Sequence, residues 1–340
     1  MTRIAIGAIM KQEAPYILEW VAYHKALGFE LIIADHGGTD DTSKLLTALH
    51  NSKIITRIDF RFKKTAPQIP AYRAILRLAR IRGIEIMGFL DCDEFFTRDI
   101  PIQTLSPASG AEHIASEFKR LNAVQISYNW LAYGSKTDCD DLSLPVLERF
   151  PYHAKFESES RSRSFKSFVL LRKVFRLSNI FLLGPQVFSP HYSYRGEKRW
   201  YLDDELMQKR GFLNQDRTYN NGAILHYQVK TWEEFQRKIT RGDAHLPRTR
   251  FSIARFQEND LNDLKSEVGE NTIIQIKTGI DNLRKLIGDY ADLDTKTNHF
   301  TTLKVKLMSI GLSDVRNHQL VFALYKLLRK MRTISTQEKA

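Results

Sequence analysis

Two cysteines in 340 residues, Cys92 and Cys139, are too few for a disulfide framework and have no metal-ligand spacing. A reducing cytoplasm is the simplest setting. No run of about 18 apolar residues occurs, so no membrane-spanning helix is expected. Met1 to Gly7 passes straight into a strand pattern, with neither the apolar length nor the cleavage site of a signal peptide. The first strand–helix turn lacks both the GxGxxG and the P-loop pattern, which leaves dinucleotide and P-loop readings without a motif. Acids are in the minority: 39 Asp and Glu face 51 Lys and Arg, a net charge of +12. That excess favours an anionic partner, whether a phosphorylated small molecule, an acidic membrane surface or nucleic acid. Helix-turn-helix, zinc-finger and RNP patterns are also missing, so nucleic acid is the weakest of the three.

What remains is a chain with ample core material, 43% of it apolar. Arg3 to Ile9 reads as a strand of small and β-branched residues. Pro15 opens a helix whose apolar face is Ile17, Val21 and Leu27, and Gly28 closes it as a C′ residue. Leu31 to Ala34 is a second buried strand, followed by the Gly- and Asp-rich turn Asp35 to Asp41 and a helix through Leu45, Leu46 and Leu49. Ile54-Ile55 marks a third strand, Pro70 to Arg82 a third helix, and Ile84 to Leu90 a fourth strand. This alternation predicts a mostly parallel sheet with helices on both faces. Ligands of such sheets bind beyond the carboxyl ends of the strands, where Lys11, Glu13, Asp35 and Asp91 fall.

The fourth strand runs into Asp91-Cys92-Asp93-Glu94-Phe95-Phe96. Alone, such a doublet reads more readily as a surface turn of acids. On an extended backbone, however, Asp91 and Asp93 share a face, and two carboxylates there suit a divalent cation such as Mn²⁺ or Mg²⁺. Asp138-Cys139-Asp140 and Asp203-Asp204-Glu205 lack a preceding buried strand and are read as solvated acids.

Further along, Asn221 to Tyr227 reads as a strand ending on His226. An amphipathic helix with Trp232, Phe235 and Ile239 follows. Its cations Lys230, Lys238 and Arg241 either coat a solvated helix face or meet phosphate oxygens. Val169 to Leu171 and Phe181 to Leu183 are apolar pieces of strands. From about residue 250 the chain looks helical, with an amphipathic stripe of Ile273, Ile276, Ile280, Leu283 and Ile287. A second stripe through Leu320, Leu324, Leu327 and Leu328 is flanked by basic residues that could lie on an anionic leaflet.

Several segments together resemble a known family. Lys11-Gln12-Glu13-Ala14-Pro15-Tyr16-Ile17-Leu18-Glu19-Trp20, with Tyr23-His24 and Leu27-Gly28, is similar to the opening of bacterial family 2-like glycosyltransferases related to glycosyltransferase family 92. Asp91 to Phe95 resembles that group's D-x-D-E-F motif. Gly134-Ser135, Glu148-Arg149-Phe150, and His226-Tyr227 with Lys230, Phe235, Lys238 and Arg241-Gly242 follow in order.

The resemblance implies a GT-A fold, mostly parallel and flanked by helices. The domain would span residues 1–250, with a nucleotide-binding half over 1–100 and an acceptor half over 101–250. A helical extension would fill 251–340. It implies a nucleotide-diphosphate sugar donor, a UDP-sugar first, and a divalent metal. Asp91 and Asp93 would face that metal, with His226 as the third ligand. Lys230 or Arg241 would touch the diphosphate, and Glu13 and Asp35 would hold the ribose and base. Glu148 is the first candidate for a general base, Glu94 the second, and His191 an acceptor or phosphate contact. The acceptor would be a saccharide or glycolipid in bacterial cell-surface polysaccharide or lipopolysaccharide synthesis, worked on in the cytoplasm or peripherally at the membrane's inner face. Gln12 and His36-Gly37-Gly38 depart from the family's usual Asn and Asn- or Ser-rich turn.

Overall fold

A computed structural model describes residues 2–61, 67–139, 141, 143–155, 165–173, 200–202, 205–206, 219–242 and 251–290. The chain divides into two compact units, Met1–Lys296 and Thr297–Ala340. The second lies outside the described residues, and with it the terminal basic stripe that carries the membrane expectation. His191, Phe181 to Leu183, Asp140 and Asp203-Asp204 also lie outside them. No helix among the described residues is long and apolar enough to cross a membrane.

The first half follows the expected alternation. Strand β1 (Ile4–Met10) is followed by helix α1 (Ala14–Ala26), then β2 (Glu30–Asp35), α2 (Thr42–Asn51), β3 (Thr56–Asp59), α3 (Gln68–Ile81) and β4 (Ile86–Phe89). β1 is buried on both faces, which is why it reads as a continuous apolar run and not an alternating one. Gly28 closes α1 as expected. Its φ is +82°, its N–H donates to Lys25 O, and the Phe29 N–H donates to His24 O. That pair of bonds is a Schellman motif, open to glycine because no Cβ crowds the left-handed backbone. The third strand is displaced from Ile54-Ile55 to Thr56–Asp59.

The chain continues through β5 (Glu94–Thr97), α4 (Ala111–Arg120), β6 (Gln125–Ala132), α5 (Val146–Arg149), β7 (Tyr152–His153), β8 (Phe165–Leu170), β9 (Trp200–Leu202), β10 (Glu205–Leu206) and β11 (Ala223–His226). Helices α6 (Trp232–Arg241) and α7 (Ile253–Asn259), strand β12 (Leu264–Lys265) and helix α8 (Glu270–Ile287) complete the described chain. The main sheet runs β10-β9-β6-β8-β4-β1-β2-β3, with β11 joining β6 to β5. Its first-half neighbours are parallel, while β8 enters antiparallel between β4 and β6.

Strand β5 was not foreseen: Glu94-Phe95-Phe96-Thr97 is fully buried and pairs antiparallel with β11, setting Glu94 opposite His226. Helix α8 buries Ile276, Ile280 and Leu283 in the same core as the sheet's residues. It approaches α1 closely where Gly279 faces Ala22; a methyl on Gly279 would stand 3.1 Å from the Ala22 Cβ.

Candidate active site

The carboxyl ends of β1, β2 and β4 form one rim, as the sheet order requires. The β1–α1 and β2–α2 turns are stitched together there. The Glu13 N–H donates to Thr42 Oγ1 at 2.8 Å, the Ala14 N–H to Asp40 Oδ2 at 3.1 Å, and Gln12 Nε2 to Thr39 Oγ1 at 3.1 Å.

Asp91 and Asp93 do not lie on an extended strand. The Glu94 N–H donates to Asp91 O at 3.0 Å, closing a turn, and Glu94 Oε2 accepts the Asp91 N–H at 2.8 Å. The shared-face argument therefore fails: a turn, not a pleat, sets the two directions. Trp20 in α1 holds the turn from beneath, its Nε1 donating to the carbonyls of Asp91 and Glu94, each at 3.0 Å. The Tyr227 N–H donates to Asp93 O at 2.9 Å.

Each aspartate leaves the turn towards a different lysine. Lys166 Nζ, from β8, sits 3.0 Å from Asp91 Oδ2 and 2.8 Å from Glu94 Oε2, with its side chain only 2% exposed. Lys238 Nζ, from α6, donates to Asp93 Oδ2 and to Gln228 O. His226 Nε2 lies 3.9 Å from Asp93 Oδ1 and 4.0 Å from Glu94 Oε1.

Burial and the nearby charges set the protonation of this group. Burial alone would raise the Asp93 carboxyl, but Lys238, His226 and Lys230 hold it well below the usual carboxylate range. Glu94 is pushed up to about 8 by burial, which Asp91 and Asp93 reinforce against the pull of Lys166. Its Oε1 is buried and has no hydrogen-bond partner, as suits a carboxyl that keeps its proton. Burial lowers His226 to about 4, leaving the imidazole neutral at pH 7.

These groups do not fit a divalent cation as the expected trio of Asp91, Asp93 and His226. Among the described residues no group of three or more His, Cys, Asp and Glu side chains is arranged to hold a metal ion. The physical reason is the pair of ammonium groups. A doubly charged ion on the second oxygen of either aspartate would stand about 4 Å from a lysine already on the first. That repulsion opposes an ion while the lysines hold these places, so a metal at the turn would have to displace them.

The remaining predicted residues scatter around this turn. Arg241 Nη1 donates to Glu13 Oε1 and, at 3.2 Å, to Lys11 O, so Glu13 and Arg241 meet across α1 and α6. Lys230 is buried under the rim with φ +54°; its ammonium donates to Tyr227 O at 3.1 Å and lies 4.5 Å from the Tyr16 ring centre. Burial lowers it to about 8, Lys238 adding to the effect. Asp35 is fully buried and fully engaged: Arg57 donates to Oδ2 at 2.6 and 2.8 Å, while Gly37 N and Ser43 Oγ donate to Oδ1 at 2.8 and 2.9 Å. Glu148 pairs with Lys277 of α8 at 2.8 Å, and its partner there is not part of the rim.

Sequence reasoning missed Lys166 as a partner of Asp91, Glu19, and the bridge from Arg149 to Glu234. Glu19 accepts the N–H groups of Val146 and Leu147 at 2.8 and 3.0 Å, fixing α5 against α1. Arg149 reaches Glu234 Oε1 at 2.7 Å and Oε2 at 3.2 Å, and Tyr16 OH donates to the same Oε1 at 2.9 Å. Glu234 is also the capping-box residue of α6, so the bridge anchors the helix that carries Lys238. Burial works against the Glu234 carboxylate, yet Arg149 brings it down to about 2 from an ordinary 4.5. Because the folded value is depressed, its stabilisation is complete above pH 4.5 and is lost as pH falls towards 2. Thermal unfolding followed over that interval is expected to show a falling Tm, and Glu234→Gln should flatten the slope.

Between the start of α1, the turn at Thr39 to Asp41 and α6 lies a cavity of about 630 Å³. Glu13, Asp40 and Asp41 line one wall, and α6 lines the other with Arg237, Lys238 and Arg241 together with Glu233 and with Glu234, which Arg149 neutralises. Hydroxyls suit the first and phosphate oxygens the second.

No curated protein sequence is significantly similar to this chain. Among solved structures, S. aureus TarS is similar at a TM-score of 0.37 and 11% identity, over 67% of this chain and 37% of that one. S. aureus TarS 1–349 gives a TM-score of 0.35 and 13% identity over 83% and 72%; its complex with UDP gives 0.34 and 12% over 60% and 59%. The chain thus spans little more than a third of the first of these, and likeness this distant carries no mechanism. The sequence itself matches glycosyltransferase family 92 over residues 9–281, from the end of β1 into α8. With the mostly parallel sheet and its rim of acids and lysines in place, this chain belongs to glycosyltransferase family 92.

Proposed function

We propose that this glycosyltransferase takes a sugar from a nucleotide-diphosphate donor and gives it to a hydroxyl of a saccharide or glycolipid. The observation that carries this is the 630 Å³ cavity at the rim, where Glu13, Asp40 and Asp41 line one wall and Arg237, Lys238 and Arg241 stand beside Glu233 and Glu234 on the other. Ribose hydroxyls would meet Glu13 and Asp40, while the diphosphate would meet Lys238, Arg237 and Arg241. The bond between the anomeric carbon and the phosphate oxygen breaks, its electron pair staying with the nucleoside diphosphate. The acceptor oxygen bonds to that carbon and loses its proton to a carboxylate base. Glu148 is our candidate for that base; Arg149 and Glu234 tie its helix to the one bearing Lys238, and the role requires its carboxylate to exchange Lys277 for the acceptor hydroxyl. A UDP-sugar and a cell-surface polysaccharide or lipopolysaccharide acceptor remain the first choices to try.

Thermal-shift screening against nucleotide sugars, followed by transfer to a glycan panel, tests the reading. A stabilising donor that is consumed with formation of a glycosylated product is the expected result. Cleavage of the donor in which water competes as well as any glycan would make the protein a hydrolase. Glu148→Gln should abolish turnover with donor binding intact, and near-normal turnover would remove Glu148 from that role.

A further inference from the structure

The residue between β1 and α1 holds a backbone conformation that its type disfavours. Gln12 has φ +52°, in the left-handed region where a Cβ crowds the backbone. Lys53 and Asn122 share that region for the reason seen at Gly28: each closes a helix. The Lys53 N–H donates to His50 O and the Ile54 N–H to Leu49 O, while the Asn122 N–H donates to Lys119 O and the Ala123 N–H to Phe118 O. Gln12 ends no helix. It shares that distinction with Lys230, but only Gln12 lines the 630 Å³ cavity. Strain kept at a cavity wall points to a task there.

The kink sorts three successive residues onto two walls. Lys11 Nζ donates to Arg241 O at 3.3 Å, and Arg241 reaches back to Lys11 O and Glu13 Oε1, so both flanking residues meet α6. Gln12 meets the β2–α2 turn instead. Its stem packs on Gly38, where a Cβ would stand 2.9 Å from Gln12 Cγ, and its Nε2 donates to Thr39 Oγ1 at 3.1 Å. Thr39 lines the cavity as well. The acids alongside are already engaged, Glu13 by Arg241 and Asp40 by the N–H groups of Ala14 and Thr42 at 3.1 and 3.2 Å. With Nε2 spent on Thr39, no hydrogen bond among the described residues reaches Gln12 Oε1. A carboxamide oxygen is a neutral acceptor, able to take a hydroxyl proton without repelling a phosphate nearby.

We propose that Gln12 reads the donor's ribose, its Oε1 accepting one of the ring hydroxyls, so that the site prefers ribonucleotides to nucleotides lacking that hydroxyl. This rests on the reading of the cavity as a nucleotide-diphosphate site and names the group that recognises the nucleoside's sugar. Thr39 takes the amide N–H and so leaves the oxygen, not the nitrogen, for the ligand. Kink and tether are both settled on folding, which places the acceptor before the ligand arrives.

The test is calorimetric titration of the full chain with UDP, GDP, CDP and ADP, in Mn²⁺ and again in EDTA. The best binder is then replaced by its 2′-deoxy and 3′-deoxy analogues. The wild type is expected to bind one analogue about five- to tenfold more weakly, the size of one neutral hydrogen bond. Gln12→Met and Gln12→Gly should bind the ribonucleotide and that analogue equally. Gln12→Glu, which keeps an acceptor, should keep the discrimination even as its charge lowers overall affinity. The Tm of Gln12→Gly should match or exceed that of the wild type, because glycine adopts positive φ freely. A merely structural role would lower it together with affinity, and that result overturns the proposal. Indifference of the wild type to both hydroxyls overturns it too, as does discrimination that survives in Gln12→Met; both leave the donor reading intact. Failure of all four diphosphates under both conditions overturns the proposal and the donor reading together.

Discussion

Arg57→Met is expected to destabilise the fold by about 3–5 kcal/mol, the usual cost of stripping one partner from a buried ion pair. Arg57 and Asp35 are both completely buried, and the guanidinium meets one carboxylate oxygen with two donors at 2.6 and 2.8 Å. Methionine fills much of the volume, so packing loss is a minor part of the change. What remains is a carboxylate in the core with its charge uncompensated on one side. Gly37 N and Ser43 Oγ still hold the other oxygen, so Asp35 cannot turn away. Denaturant unfolding measures this directly, as a lowered midpoint at constant slope. Asp35→Asn/Arg57→Met should recover part of the loss, because the amide that replaces Asp35 carries no charge. A midpoint unchanged in Arg57→Met would show that the pair contributes nothing. The pair also bears on the site, since Asp35 ends β2 and Gly37 starts the turn that reaches the cavity's acidic side.

Asp93→Asn should lower sugar transfer by about 10²–10³-fold, about 2.7–4 kcal/mol of transition-state free energy. The substitution keeps shape and backbone contacts, including the bond from Tyr227 N to Asp93 O. It removes the charge that holds the Lys238 ammonium at the rim, 7% exposed and facing the leaving group's expected position. On the proposed donor reading the loss should fall on both kcat and KM, because the lysine would meet the diphosphate in the ground state and more charge as the bond to sugar breaks. Steady-state kinetics on the donor found in the screen decide it. A change smaller than threefold would place Asp93 outside the machinery.

Much of this was legible in the chain. β1, β2, β4 and α1 to α3 announced themselves because central parallel strands are apolar throughout, and Gly28 marked a helix end, whereas β3, a polar strand at the sheet's edge, lies beyond the expected Ile54-Ile55. The rim followed from the sheet's direction. The turn at Asp91 did not, because a doublet of acids reads alike on a strand and in a turn; the decisive bonds run through backbone N–H groups and Trp20 Nε1. Lys166 offered a signal in its setting, since a lysine within Phe165-Lys166-Ser167-Phe168-Val169-Leu170 has to find an acid. Its partner 75 positions away could not be read from that setting. Arg57 and Glu19 are of the same kind: lone charges in apolar surroundings whose counterpart is set by tertiary packing. β5 was hidden because four buried residues are too few to show a period.

The bond from Lys238 to Asp93 spans 145 positions, and the register of β5 against β11 closes a loop almost as long. A nascent chain therefore completes the Asp91 half of the site long before the ribosome delivers the Lys238 half. Contacts of such separation are also the slow ones in folding. Ligand capture thus becomes a late event in the protein's own maturation, and its recovery during refolding would time the closing of the whole sheet.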